Sequence, residues 1–130
     1  MRHIDFMNIS NKEFDRIVKE TIGRIPEEIR RYLDNILITV KKKPTPEMLD
    51  EAGLSPDETL LGLYRGVPLG ERSIINPPLH PDTIFIFKKP VEEMCSNLEE
   101  LENEIEITVV HEIAHFVGFS EERLSELGYS

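Results

Sequence analysis

Two histidines four residues apart, with a glutamate between them, stand in the run His111-Glu112-Ile113-Ala114-His115-Phe116-Val117-Gly118-Phe119-Ser120-Glu121. On a helix, side chains at i and i+4 project from one face, so both imidazoles can hold one zinc ion. Glu112 falls on the adjoining strip, where a carboxylate can act as base toward a metal-bound water. Gly118 can turn the chain, and Glu121 follows where an acid can come back as third ligand. Two neutral imidazoles and one carboxylate leave a tetrahedral ion with an open fourth position. A water bound there has its pKa lowered to about 7. Glu112 would accept its proton and pass it to a leaving amine. The spacing therefore implies a zinc-dependent hydrolase, most simply a peptidase, with Glu112 as general base and His111, His115 and Glu121 as ligands to Zn2+.

Each residue also has a plainer reading. Two helical histidines can be satisfied core groups. Glu121 follows Ser120, a good N-cap, so its carboxylate can serve only to favour the positive end of a following helix. Glu122 replaces it as ligand if the turn is one residue longer. The surroundings favour a metal. Ile105, Ile107, Val109, Val110, Ile113, Ala114, Phe116, Val117 and Phe119 wrap most of the helix, so this end is expected to be buried. Thr108, His111, Glu112 and His115 share one sector of roughly 100°. Burying three ionisable groups together is costly unless something pairs them, and a divalent metal would do so.

Other chemistry-bearing residues carry less. His80 reads as a surface histidine, and His3 has no assigned role. Tyr129 can reach toward a metal-side oxyanion, but packing is its expected role. Arg65 and Arg72 can bind a peptide carboxylate, but a solvated role is expected. Cys95 falls on an apolar stripe and reads as a small buried hydrophobe.

The elements that must position these groups fit one domain, residues 1–130. Charged residues make up 31% and hydrophobic ones 39%, a globular balance. A net charge of −10 argues against nucleic acid or an anionic membrane as partner. A single cysteine excludes an intramolecular disulfide and suits a reducing compartment. No apolar run approaches a membrane span, and the N-terminal MRHIDFMNIS has no apolar signal region, so a cytoplasmic location is expected.

Ser10 and Glu13 have capping-box spacing, with Ile9 and Phe14 placed as a hydrophobic staple, so a helix is expected from Asn11 to Gly23. A second helix is expected after Pro26. The β-branched run Ile36 to Val40, then Leu60 to Tyr64 and Thr83 to Phe87, read as strands. Residues 47–58 read as a turn of helix and a loop, and 66–82 as a long Pro-rich loop. Val91, Met94, Leu98, Leu101, Ile105 and Val109 recur at helical spacing, which predicts one long helix from Val91 to about Val117. The glutamates from 92 to 106 read as its solvated face. A short helix is expected after Ser120. A small sheet needs a cover of helices, so the expected class is a two-layer α+β domain with a long active-site helix.

Three stretches carry a resemblance: Leu61-Gly62-Leu63-Tyr64-Arg65-Gly66-Val67-Pro68-Leu69, Pro81 to Phe87, and Val109 through Gly118 to Tyr129. With them the chain resembles the minimal zincins, small bacterial zinc metallopeptidases with a metzincin-like motif. The resemblance implies a short, three-stranded mixed sheet with the active-site helix behind it. It implies His111 and His115 as ligands, Glu112 as base and an acidic third ligand, here Glu121. That position is more often aspartate in the family. It departs from large metzincins, whose third ligand is histidine and whose methionine turn has no counterpart here, since every methionine precedes the motif. The usual lower wall of the cleft is also missing. The expected partner is a peptide or protein substrate held against a sheet edge, either Thr83 to Phe87 or Leu60 to Tyr64. An open groove suits a short peptide or a further partner that completes the cleft. The competing function is a non-catalytic, zinc-stabilised binding module.

Overall fold

A computed structural model describes residues 9–66 and 82–129. Among them are six α-helices, a 3₁₀ turn and three strands, an α+β arrangement. The first helix, α1 (Asn11–Gly23), begins as the sequence predicts: Ser10 accepts from the Glu13 N–H, and Ile9 lies against the core that Phe14 enters. Its buried stripe is Phe14, Ile17, Val18 and Thr21. Pro26 opens α2 (Glu27–Arg30), which tightens into a 3₁₀ turn at Arg31–Leu33.

Strand β1 (Ile36–Lys41) follows, then α3 (Pro46–Glu51), capped by the Thr45 hydroxyl. Strands β2 (Gly62–Arg65) and β3 (Asp82–Phe87) complete the sheet. Its order is β1-β3-β2, with β1 parallel and β2 antiparallel to β3. The sheet is therefore mixed. Central β3 is buried on both faces, as its near-continuous apolar run requires. Ile84 and Ile86 enter the main core with α1 and the helix that carries the two histidines, while Phe85 and Phe87 meet Met48 of α3 and Leu63 on the other side. Full burial of side chains this size is worth about 2 kcal/mol each. Thr83 to Phe87 cannot be the substrate edge, because β3 is paired on both sides; among the described residues β2 is an edge strand, and its Tyr64 bonds Glu112.

The single long helix expected from Val91 is instead two. α4 (Lys88–Glu93) stops, and α5 (Leu98–Val117) starts afresh at Asn97, whose side chain accepts from the Glu100 N–H. Glu100 returns the bond by accepting from the Ser96 N–H. This reciprocal cap is a better local solution than continuing the apolar stripe. Met94 and Leu98, placed on that stripe by periodicity, are exposed, whereas Cys95 is buried as expected. Glu92 departs from the solvated face: it is buried, paired with Lys88, and accepts from the Ile9 N–H. No helix among the described residues is long and apolar enough to cross a membrane.

Candidate metal and hydrolytic site

The C-terminal half of α5 presents the motif. Leu101, Ile105, Val109, Val110, Ile113 and Ala114 seat the helix in the core and leave the opposite strip open. His111 and His115 lie on that strip and are exposed, so the expected burial of three ionisable groups holds only for Glu112, which is half-buried. Thr108, from the same sector, is buried. Gly118 ends α5 in the left-handed region at φ 85°, and its N–H and that of Phe119 both bond the Ala114 carbonyl. That turn suits glycine and reverses the chain into α6 (Glu121–Glu126). Ser120 caps α6 by accepting from the Arg123 N–H, and Leu124 anchors it in the core.

The turn brings Glu121 back beside the helix. His111, Glu112, His115 and Glu121, with Phe119 and Leu124, line one recess of about 380 Å³. Two imidazoles and two carboxylates on one open surface are the donor chemistry that suits zinc. Among the described residues, however, no three His, Cys, Asp or Glu side chains stand close enough together to hold an ion. Glu122 does not line the recess. His3, Arg72 and His80 lie outside the described residues.

Glu112 is the half-buried carboxylate of the recess. Burial pushes its carboxyl above the ordinary carboxylate range, while the Tyr64 N–H and the neighbouring His115 and His111 pull it back. Its Oε1 accepts from the Tyr64 N–H at 2.8 Å. Tyr64 is itself held by further contacts. Its ring stacks on Phe116 with centroids 4.1 Å apart, and its hydroxyl donates to the buried Asp82 at 2.6 Å. Motif reading does not single out Tyr64, Asp82 or Gly62, because their importance comes from sheet order rather than local spacing.

A second recess of about 420 Å³ shares His111 and is lined by Arg24, Asn103, Glu106 and Tyr129. Tyr129 packs, as expected, and its hydroxyl donates to Glu106 at 2.5 Å. Arg65 is not simply solvated. It forks onto Glu51 and lies over the Phe85 ring.

The fold has a solved counterpart in a conserved hypothetical protein from Thermo thermophilus. The two share 23% identity and a TM-score of 0.57, over 84% of this chain and 94% of that one. None of the curated proteins matches the chain. The profile of the zincin-like metallopeptidases matches residues 33–129, which takes in the whole sheet and the motif helix. The chain belongs to the zincin-like metallopeptidase family.

Proposed function

We propose that this protein is a zinc-dependent peptidase in which Glu112 is the general base and His111, His115 and Glu121 are the metal ligands. The observation that carries this reading is the placement of Glu112. It is a half-buried carboxylate with a raised pKa, on the same recess as two exposed imidazoles and beside an edge strand. A bound zinc ion would supply an activated water and polarise the scissile carbonyl. Glu112, with Oε1 held by Tyr64, has Oε2 left to accept the proton and deliver it to the leaving amine. Glu121 would complete the ligand set by rotating its side chain, which has room to move because the residue is exposed.

An extended peptide would lie along the outer edge of β2, its main-chain bonds made to outward groups other than the Tyr64 N–H, which Glu112 holds. The recess is small, which suits a short peptide, a flexible segment of a protein, or a substrate presented by a second protein that completes the cleft. Neither nucleic acid nor membrane fits the negative charge. A cytoplasmic site of action is part of the same reading.

A non-catalytic, zinc-stabilised binding module is the alternative; it uses the same ligands and gives Glu112 no role as base. Metal analysis of untagged protein, followed by Glu112→Gln, separates the two. Near one equivalent of zinc in both proteins, with hydrolysis of a peptide library lost only in the variant, supports the peptidase. Equal turnover in the variant rules out Glu112 as base. Absence of zinc uptake rules out both readings.

A further inference from the structure

We propose that Gly62 and Thr108 set the distance between β2 and α5, and that the Tyr64 backbone N–H, brought into reach by this contact, is a positioning group for Glu112. The proposal rests on the reading of Glu112 as base. Gly62 sits where β2 crosses the motif helix. A Cβ at Gly62 would stand 2.5 Å from the Thr108 Cγ2 and 3.0 Å from the Phe85 carbonyl oxygen, with the Glu112 Cγ at 3.8 Å. Only a residue without a side chain lets the strand lie this close. Two residues on, the Tyr64 N–H points away from β3. The Leu61 carbonyl bonds the Phe87 N–H, so odd-numbered residues of this strand face β3 and even-numbered ones face outward. The outward N–H meets Glu112 Oε1 at 2.8 Å.

The consequence is geometric. A glutamate has three side-chain torsions, and a base must be held within a fraction of an ångström to be effective. Helix α5 fixes the Cα of Glu112. The Tyr64 N–H fixes one carboxylate oxygen, which leaves the other aimed by default. The Tyr64 ring on Phe116 and its hydroxyl on Asp82 fix the donor in turn. Gly66 supports the same arrangement: a Cβ there would stand 2.5 Å from the Asp82 carboxylate.

Amide hydrogen exchange on the full-length, zinc-loaded chain tests this without needing turnover. An outward N–H on an edge strand exchanges quickly unless something accepts its hydrogen bond. The Tyr64 amide should be protected in the wild type, and that protection should fall about tenfold or more in Glu112→Ala and in Gly62→Ala. It should return in Gly62→Ala/Thr108→Ser, because serine lacks the crowding methyl. Where a library peptide is cleaved, kcat should follow the same order, with KM and zinc content little changed. Equal exchange in wild type and Glu112→Ala would overturn the hydrogen bond. An unaltered kcat and a protected amide in Gly62→Ala would overturn the spacing role. If Gly62→Ala does not fold, a folded double variant with a protected amide still supports the close approach, and a double variant that is folded but unprotected overturns it. Exchange that behaves as expected in a protein that cleaves nothing leaves the positioning intact and removes the peptidase reading.

Discussion

Arg123 of α6 forks onto Glu28 of α2, its Nε donating to Glu28 Oε2 at 2.8 Å and its Nη2 to Glu28 Oε1. The two residues are 95 positions apart, and their pairing fixes the helix whose first residue is Glu121. Arg123 also donates its backbone N–H to the Ser120 cap and reaches Glu126. A helix of six residues has little stability of its own, so its position depends on such ties and on Leu124.

Arg123→Ala should therefore weaken zinc binding, by about tenfold if the pair acts as an outer support for a ligand. Glu28→Ala should do the same. Arg16→Ala is the control, since its partners Glu13 and Glu20 lie on α1 and none of the three lines the recess. Competition with a chromophoric chelator reads all three. Equal zinc affinity in Arg123→Ala and the wild type would show that Leu124 and the cap suffice.

Much of this fold is written locally. Ser10 with Glu13 and Ser120 at the start of α6 form the caps expected of them, and Thr45 adds a third at α3. Strands β1 and β3 fall where β-branched and aromatic residues cluster, whereas β2, Gly62–Arg65, has only Tyr64 of that kind and begins two residues later than expected. Apolar period alone misplaces Met94 and Leu98, because Asn97 and Glu100 already spell a helix start. Helix geometry and one glycine turn suffice to put His111, Glu112, His115 and Glu121 on one recess, though no three of them stand close enough to hold an ion. Tyr64 and Gly62 are not legible in this way. Their contact with α5 depends on β3 lying between β1 and β2, an order that neither strand's own sequence dictates.

Tyr64→Phe should cost stability without removing the stacked ring. The lost hydroxyl donates to the buried Asp82 at 2.6 Å. A hydrogen bond to a charged acceptor is worth about 1.5–3 kcal/mol. Gly66→Ala should destabilise by a similar amount, about 1–3 kcal/mol, since its Cβ would overlap the Asp82 carboxylate. Urea unfolding at neutral pH measures both. The two should not add fully in combination, because both act through Asp82.

Tyr129 gives a pH dependence. Burial and the neighbouring Glu106 push its hydroxyl above the ordinary value of 10.0. The fold thus favours the protonated form, and that stabilisation is complete below pH 10. It declines as the pH rises past 10, because the unfolded chain then releases a proton that the folded chain retains. The wild type should exceed Tyr129→Phe in stability by about 1.5–3 kcal/mol at pH 8, the value of one hydrogen bond to a carboxylate. The difference should shrink at pH 11. A spectroscopic titration of the variant should also lose a tyrosine that ionises above the ordinary value. A constant stability difference from pH 8 to pH 11 would contradict the assignment.

Glu121 and Glu122 are neighbours at the start of α6, and both would favour the positive end of the helix equally well. A role in capping alone therefore predicts the same small loss of stability for Glu121→Ala and Glu122→Ala, and no effect on metal. Only Glu121 lines the recess with His111 and His115. A ligand role predicts that Glu121→Ala weakens zinc binding by a hundredfold or more (on the order of 3 kcal/mol), while Glu122→Ala leaves it within about twofold. Glu121→Asp discriminates further. Its shorter side chain should keep binding if the α6 start can move toward the histidines, and should lose it if reach depends on the extra methylene. Zinc affinities of the three variants at one pH decide the matter. If Glu122→Ala is the more damaging change, the turn at Gly118 delivers the second carboxylate rather than the first.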